Sequence, residues 1–555
     1  MKQIMVPGSK SVSCRALVLA ALSSKPMVLR NILDCDDTRV LQDGLASFGV
    51  KFKKEGNDIR VVPPAELTAS GQTIPVGNAG TPARFLSALS VLISGEFTIE
   101  GSSRMAERPM EELFSVLKLM SVEVSHQEGF LPATFSSSQK KEKSVEMSSI
   151  VSSQFLSALL LVGAKLAPFT IHLTKPLPST SYVQMTIDLL NEWGITVENN
   201  AFQTFTLTGS LRSPEIFSIP PDYSAMTYPI AYSLLNKKYA LDSDRGCVQL
   251  ENIPSKTYQG DEQFLAIAEQ FGAQIIRSNT EIEIQPPETL QGLGEVDFSD
   301  MLDTVPSAAI LASVAKGETT FTNIGNLRYK ESDRIEAIVE NLKSLGVQVE
   351  SGKDWIKISP HPQPLSQRER VVIQTHYDHR IAMAFGVLGK TRDLDLQIDN
   401  KECVSKSWPN FWLELADWGG EMRSVSAVIV SNQDKYLIVK KPRKNHAWQF
   451  PQGGVEIGET LLETAERELR EECGKTLQVK FVAEKVGEYA YFFPTDFKRH
   501  EEEIVGAKVS FFQAEFISGD IVLEEEELED YKWVTKEELK DYFEGEYLEK
   551  IQSFL

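Results

Sequence analysis

Glu468, Glu471 and Glu472 stand at i, i+3 and i+4 within "WQFPQGGVEIGETLLETAERELREECG", Trp448 to Gly474. On a helix that spacing puts all three carboxylates on one face, while Leu461, Leu462, Ala465 and Leu469 make an apolar stripe on another. Three like charges so close weaken a helix unless something positive sits among them. A solvated acidic face is the ordinary explanation for such a helix. Two neighbours argue against it here: the Gly453–Gly454 turn aims the helix, and Arg467 is placed to hold Glu459 or a nearby carboxylate. A divalent ion with oxygen ligands, most simply Mg²⁺, would relieve the repulsion.

A second set of residues is basic and hydroxylic. "PGSKSVSCRALVLAAL" puts Lys10, Ser11 and Arg15 at the mouth of a predicted helix. Ser9 or Ser11 is its expected cap, and its N-terminus is a natural anion site. "GNAGTPARFL" opens another helix with Asn78, Gly80 and Thr81, and "RMAERPM" sets Arg108 directly before Pro109. "SSQFL" offers Ser152, Ser153 and Gln154 at a helix start. "LRYKESDR" gathers Arg328, Lys330, Glu331, Asp333 and Arg334; "YDHR" adds His379 and Arg380, and "SKSWP" adds Lys406. Any one of these is more commonly a solvated loop. Placed together on strand-to-helix loops, they point to one site for a polyanion.

The elements that must position these groups repeat. Strand, polar loop, amphipathic helix, glycine and strand recur from near Val28, Phe97, Phe169, Val248, Phe321 and Leu396, a period of supersecondary units. Gly49, Gly194, Gly272, Gly346 and Gly419 fall where the helices should end in a left-handed cap, with Ser121 in that place in the second copy. Six such units imply two half-domains of three repeats each. The pattern stops after Gly420, where "SVSAVIVSNQDKYLIVKK" reads as two strands around an Asn-Gln-Asp turn. Charge marks the same boundary. Glu421 to Leu555 hold 29 acidic and 18 basic residues, a net of −11 within a whole-chain charge of −21. With no basic patch, binding to nucleic acid is not expected. Five scattered cysteines, Cys14, Cys35, Cys247, Cys403 and Cys473, suit a reduced, cytoplasmic protein rather than a disulfide frame or zinc site. The longest apolar run, near Phe155, reaches about half of the ~20 residues of a membrane span.

In their order, "PGSKSxSxRAL", "NAGTxxRFL", "ERPM", "SSQF", "KESDRI" and "DHRIAM" resemble the EPSP synthase family over about residues 5 to 415. The resemblance implies an α/β fold of two inverse domains, each of three βαβαββ units. They are expected at 1–220, with the N-terminal residues free to pack on the other half, and at 221–420. It implies transfer of the enolpyruvyl group of phosphoenolpyruvate to the 5-hydroxyl of shikimate 3-phosphate, with no cofactor and by a monomer. Lys10, Asn78, Gly80, Arg108, Gln154, Arg334, His379, Arg380 and Lys406 match the family's phosphoenolpyruvate side. Ser11, Arg15, Ser152, Ser153, Gln154, Ser179, Tyr182, Asp303, Asn326 and Lys330 match its shikimate 3-phosphate side. Asp303 and Glu331 are the acid–base candidates, and Lys10 shares in proton transfer. Cys14 departs from a usual asparagine, and the short N-terminus leads us to expect that a strand supplied from there to the second half is missing. A sister family, UDP-N-acetylglucosamine enolpyruvyl transferase, is disfavoured because no cysteine lies in the loop near Arg108 that family requires.

The opening stretch is similar to the Nudix box, GX5EX7REUXEEXGU with U aliphatic. Gly453, Glu459, Arg467, Glu468, Leu469, Glu471, Glu472 and Gly474 match, and Lys475 alone departs, where an aliphatic residue is usual. The resemblance implies an α/β/α Nudix domain over 421–555, with Mg²⁺ or Mn²⁺ on Glu468, Glu471 and Glu472. Glu527 is a further expected ligand, and Glu459 and Arg467 are structural partners. "WQFPQGG" resembles Nudix hydrolases of RNA 5′-pyrophosphate and dinucleoside polyphosphates. The expected substrate is an unidentified nucleotide or diphosphate, hydrolysed at the diphosphate. Two alternatives stay open: a nucleotide-binding module that regulates the transferase, and a fusion serving co-expression alone.

Overall fold

Each repeat start opens a strand in the computed structural model: Met27–Arg30, Glu96–Gly101, Phe169–Leu173, Val248–Glu251, Thr319–Thr322 and Leu396–Ile398. The structure describes residues 2–555 except 57, 138–141, 149–151, 178, 237–246, 255–256, 360–369, 393, 421, 443–447, 457, 483–484, 494–503 and 525–527. The second repeat shows the plan. Thr73–Gly77 runs parallel to Glu96–Gly101, with the helix Gly80–Leu89 making the crossover that a parallel pair requires. The helix Glu111–Leu119 then leads into the hairpin Val122–Gln127 and Phe130–Ser137, whose second strand returns antiparallel to Glu96–Gly101. The sheets built on Phe169–Leu173 and Thr319–Thr322 repeat this order.

Two sheets take their parallel edge from elsewhere in the chain. Met27–Arg30 pairs with Ile216–Ser218, and Val248–Glu251 pairs with Lys2–Met5. The expectation of a missing N-terminal strand is therefore overturned. Four residues suffice, because Ile4 points into the core and is 3% exposed while the backbone pairs from Lys2 to Met5. The two crossings run side by side: Ser9 N donates to Pro220 O at 2.8 Å and Asp222 N to Pro7 O at 2.8 Å. Gly8 is required there, since a Cβ would stand 2.1 Å from the carbonyl oxygen of Asn31. The sixth sheet, among the described residues, has the parallel strands Val371–Ile373 and Leu396–Ile398.

The helices Lys10–Leu22, Ser153–Leu166 and Tyr223–Leu235 are buried on nearly every side, as helices apolar all round must be. The apolar run at Phe155 is one of these interior helices. Among the described residues no helix is long and apolar enough to cross a membrane. Left-handed caps occur at Gly49 (φ 98°), Gly194 (φ 86°), Gly272 (φ 110°) and Gly346 (φ 79°), and Ser121 itself adopts φ 66°. In the last repeat Gly420, not Gly419, takes the left-handed turn at φ 74°, because the helix Phe411–Trp418 extends its last turn through Gly419.

Met1–Asn410 form one compact unit and Phe411–Leu555 another. In that division the Phe411–Trp418 helix goes with the later residues, where Asp417 meets Lys508 at 3.6 Å. The second unit is built on a mixed sheet. Met422–Asn432 runs parallel to Gly506–Ser518 and antiparallel to Lys435–Lys440, with Gln433 (φ 58°) in the turn. Side chains alternate across this sheet. Val425, Ala427 and Ile429 meet the Gly545–Phe554 helix side, while Val428 and Val430 pack with Ala465 and Leu469 of the Leu461–Cys473 helix. An α/β/α sandwich results.

Gly346 separates backbone strain from packing, because a Cβ there would touch nothing within 4 Å. Gly346→Ala is expected to lower the stability of the first unit by about 1 kcal/mol through its left-handed backbone alone, read as a lower urea midpoint at unchanged slope.

Candidate active sites

The polar clusters of the first unit do sit where strands pass into helices. Ser9, rather than Ser11, caps the Lys10–Leu22 helix by accepting from Val12 N. Ser152 caps Ser153–Leu166, Asp333 caps Arg334–Ser344, Gly80 opens Gly80–Leu89 and His379 opens His379–Arg392. Lys406 ends the short 3-10 turn Glu402–Lys406.

From these starts the side chains join one charge network. Asp37 takes Lys406 Nζ at 2.7 Å and Lys10 Nζ at 3.4 Å, and Lys406 also donates to the carbonyl of Asn78 at 3.0 Å. Arg334, 1% exposed, donates to Asp303 at 2.8 Å, Glu331 at 2.7 Å and Asp378 at 2.7 Å. Asp303 receives Arg380 at 2.8 Å and Lys330 at 3.3 Å as well. Burial alone would raise the Asp303 carboxyl. Arg380, Lys330 and Arg334 outweigh it and hold the group well below the carboxylate range. Glu331 is likewise held down against its burial by Arg334, Arg108, Lys406 and Lys10. Burial opposes the charge on Lys10, but Asp37 and Glu331 keep its ammonium above the ordinary range. His379 is driven the other way, by burial and by Lys10 and Arg380, and is neutral.

Beside the network lies a small pocket of about 30 Å³ lined by Arg84, Arg108, Ser152, Ser153, Gln154, Ser179, Tyr182, Asn326 and Lys330, among others. Of its lining, Arg84 Nε, Arg108 Nε and Ser179 Oγ are buried without a hydrogen-bond partner among the described residues, as are Asn78 Oδ1, Arg380 Nε and both His379 nitrogens of the charge network and its neighbours. Such atoms are costly unless a ligand meets them. Gly80 faces the same place: a Cβ would come within 2.6 Å of the Arg108 guanidinium.

Ser11 and Arg15 are not part of this lining. Arg15 donates to Thr186 Oγ1, Ser157 Oγ and the carbonyls of Ser11 and Tyr182, and Tyr182 in turn lines the pocket. The burial of Arg15, which makes those four bonds its solvation, lowers the guanidinium to about 10. Several contributors were absent from the sequence reading. Arg84 hydrogen-bonds Gln154; it stands inside the "NAGTxxRFL" motif, which was its signal. Asp37 and Asp378 each neutralise buried cations, and "CDD" and "YDHR" were theirs. Arg104 donates to the carbonyls of Arg328, Lys330 and Glu331, a contact no motif announces.

In the second unit the acidic helix is Leu461–Cys473, capped by Thr460 and Glu463 in a reciprocal pair. Arg467 binds Glu459 at 2.7 Å, Glu468 at 2.7 Å, Glu471 at 2.9 Å and the carbonyl of Gly454 at 2.9 Å. Its hydrogen bond pulls Glu459 down to about 2. Gly453 lies against Glu468, where any Cβ would stand 1.9 Å from the carboxyl carbon. Glu472, 1% exposed, pairs with Lys441 at 2.7 Å and accepts from Gln452 N at 2.9 Å. Burial nevertheless pushes it up to about 7 and also raises Glu468. The positive charge that the helix needed thus comes from Arg467 and Lys441. Carboxylates of this kind suit a hard divalent cation. Among the described residues, however, no three of them come together closely enough to hold one. Gly474 ends the helix at φ 96°, and Glu527 lies outside the described residues.

The family model of EPSP synthase (3-phosphoshikimate 1-carboxyvinyltransferase) matches residues 1–415, and that of the NUDIX domain matches residues 420–552. The 3-phosphoshikimate 1-carboxyvinyltransferases of Shewanella loihica and Ralstonia nicotianae are each 34% identical over 424 residues, spanning 74% of this chain and 96% and 95% of theirs. The EPSP synthase structure from Acinetobacter baumannii matches 75% of this chain and 94% of its own, at TM-score 0.59 and 23% identity. The enolpyruvyl transferase NikO from Streptomyces tendae matches 76% and 95%, at TM-score 0.60 and 16% identity. Those two structures share the fold. The chain therefore belongs to the EPSP synthase family and carries a NUDIX domain behind it.

Proposed function

We propose that the first unit moves the enolpyruvyl group of phosphoenolpyruvate to the 5-hydroxyl of shikimate 3-phosphate, releasing phosphate. The observation that carries this reading is the convergence of Lys10, Lys330, Arg334, Arg380 and Lys406 on Asp37, Asp303 and Glu331 beside a hydroxyl-lined pocket. Phosphoenolpyruvate takes the Lys10, Arg108, Arg334, Arg380 and Lys406 side, with Asn78, Gly80, Gln154 and His379 around it. Shikimate 3-phosphate takes Ser152, Ser153, Ser179, Tyr182, Asn326 and Lys330. The acceptor oxygen bonds to the central carbon of the enolpyruvyl group as the methylene carbon gains a proton. Loss of phosphate and of a methyl proton from the tetrahedral adduct restores the double bond. Lys10, held protonated, is placed to donate the first proton; Asp303 and Glu331, both ionised, are placed to accept.

Substrate binding itself would awaken Asp303. Its acidity depends on Arg380, Lys330 and Arg334. When substrate anions draw on those same cations, less positive charge is left on Asp303 and its basicity rises.

For the second unit we propose hydrolysis of a nucleotide diphosphate bond. Glu468, Glu471 and Glu472 would hold Mg²⁺ or Mn²⁺, which when bound supplies polarised phosphoryl oxygens and an activated water. Arg467 orients Glu468 and Glu471, and Gly453 leaves room for Glu468 to lie against the backbone. A second reading has an observation in its favour. With Arg467 and Lys441 already neutralising the carboxylates, the unit is suited to binding a nucleotide without turnover and so to regulating the transferase.

Asp303→Asn is expected to cut the transferase kcat about 1,000-fold, within the usual range for a lost acid–base group, in a phosphate-release assay. An unchanged kcat would remove Asp303 from the mechanism. Gly80→Ala would push the Arg108 guanidinium aside, raising KM for phosphoenolpyruvate about tenfold, on the order of one charge-assisted hydrogen bond, with a smaller change in kcat. For the second unit, the intact chain is assayed with Mg²⁺ against nucleoside triphosphates, dinucleoside polyphosphates, sugar nucleotides and 5′-triphosphorylated RNA. Turnover of one class, abolished by Glu471→Gln, is expected. No turnover by a preparation whose transferase is active would favour the regulatory reading.

A further inference from the structure

The short 3-10 turn Gly260–Gln263 packs against Leu302–Thr304 and the helices Ser181–Glu192 and Tyr223–Leu235. Gln259, immediately before it, is buried and holds both crossings between the halves of the first unit. Its Oε1 accepts from Ser9 Oγ at 2.9 Å and Tyr223 N at 3.1 Å, and its Nε2 donates to Pro221 O at 2.7 Å. Gly260 presses on the next helix, where a Cβ would stand 2.4 Å from the Ser181 Cβ. Asp261 follows, 2% exposed. Its Oδ2 accepts from Ser224 Oγ at 2.8 Å and from the Tyr182 hydroxyl at 3.4 Å. Its Oδ1 is buried with no hydrogen-bond partner, and the residue makes no ion pair among the described residues.

A carboxyl taken out of water without a cation is costly, and one serine hydroxyl does not offset that. The contact with Tyr182 gives the group a use. Tyr182 lines the pocket, with Lys330 Nζ over its ring at 5.7 Å. A phenol has a single proton to donate. With that proton on Asp261, the Tyr182 oxygen can only accept, from a hydroxyl of a bound ring.

We propose that Asp261 is a positioning residue for the acceptor substrate: it fixes the Tyr182 hydroxyl as the acceptor for a hydroxyl of shikimate 3-phosphate, from a turn that Gln259 locks to both crossings. The assignment rests on the reading of this pocket as the shikimate 3-phosphate side and adds the residue that sets the direction of one of its hydrogen bonds.

The charges around Asp261 give this role a pH dependence. Burial raises its carboxyl to about 7; Asp303 and Asp222 add to the rise, while Arg380 and Ser224 oppose it. Tyr182 is raised far above its ordinary range by burial, Asp261 and Asp303, and stays neutral. Glu262, in the same turn, is paired with Arg277 at 3.0 Å. A proton on Oδ1 leaves Oδ2 able to accept from Tyr182, so the neutral form keeps the bond. An anionic substrate adds charge of the same sign and displaces water, which raises Asp261 further. Binding therefore takes up a proton: affinity is full below about 7 and falls as pH rises above it.

The test is titration calorimetry of the full chain with shikimate 3-phosphate. Asp261→Ala and Tyr182→Phe are each expected to weaken binding about tenfold. Because the two act as one unit, Asp261→Ala in the Tyr182→Phe background should add less than about twofold. Asp261→Asn keeps an acceptor oxygen but cannot ionise. It should bind within about threefold of the wild type near pH 7 and lose the fall in affinity that the wild type shows toward about pH 9. That variant also carries the test where Asp261→Ala fails to fold. Additive losses in the double variant, or the wild-type pH slope in Asp261→Asn, would overturn the assignment. No binding by the wild type would overturn the reading of the pocket as well, so the two failures are distinguishable.

Discussion

Arg334 has almost no contact with solvent, yet it carries a full charge, and the transferase unit is organised around that fact. An unpaired buried guanidinium would cost several kcal/mol. Three carboxylates, Asp303, Glu331 and Asp378, surround it within 2.8 Å. Each of the first two is shared with further cations, and Asp37 ties Lys10 to Lys406 in the same way. The chain thus keeps like charges together by interleaving the opposite sign. It does so incompletely: several buried nitrogens and oxygens facing the pocket have no partner among the described residues. That residue of unmet polarity is what a pair of phosphorylated, carboxylated substrates would satisfy.

The repeated sheet-and-helix unit explains how residues separated by almost four hundred positions meet. In the four sheets whose parallel strands follow each other in the chain, a crossover helix joins the pair, and Gly80, Ser153 and His379 stand at the starts of three of these helices. Lys10 opens the helix that leaves Lys2–Met5 for another sheet. The two side-by-side crossings near Gly8 and Pro221 then fix the helices Lys10–Leu22 and Tyr223–Leu235 together, with Lys10 N donating to Asp222 Oδ2 at 3.0 Å.

This regularity is why so much was readable in advance. Strand starts and helix mouths follow from local pattern, and the polar motifs mark the loops between them. What pattern could not supply was partnership across distance. Lys2–Met5 reads as a leftover because its partner, Val248–Glu251, is remote. Asp37 and Asp378 look like ordinary helix-start acids until the cations they neutralise arrive from other repeats. Arg15 matches a binding motif, yet four of its five N–H donors are taken by acceptors from remote parts of the chain and its own helix. The register of the last cap slipped by one residue because a glycine pair offers two equally permissive positions, and only the length of the Phe411–Trp418 helix chooses between them.

The second unit solves the same electrostatic problem with far fewer parts. Its three glutamates lie on one helix, so their repulsion is local, and one arginine in the preceding turn can hold two of them at once. Glu472 is the exception. It is buried, takes its cation from Lys441 and still sits near 7, so its pairing leaves part of the burial penalty uncompensated. In both units, then, internal counterions hold the acidic groups in a state that an incoming ligand must rearrange. Substrate anions compete for the cations of the transferase, whereas a metal cation would compete with Arg467 and Lys441 for the carboxylates. The direction of that exchange follows from which sign the protein keeps in excess at each site: positive around Arg108, whose Nε has no partner among the described residues, and negative and partly exposed at Glu471.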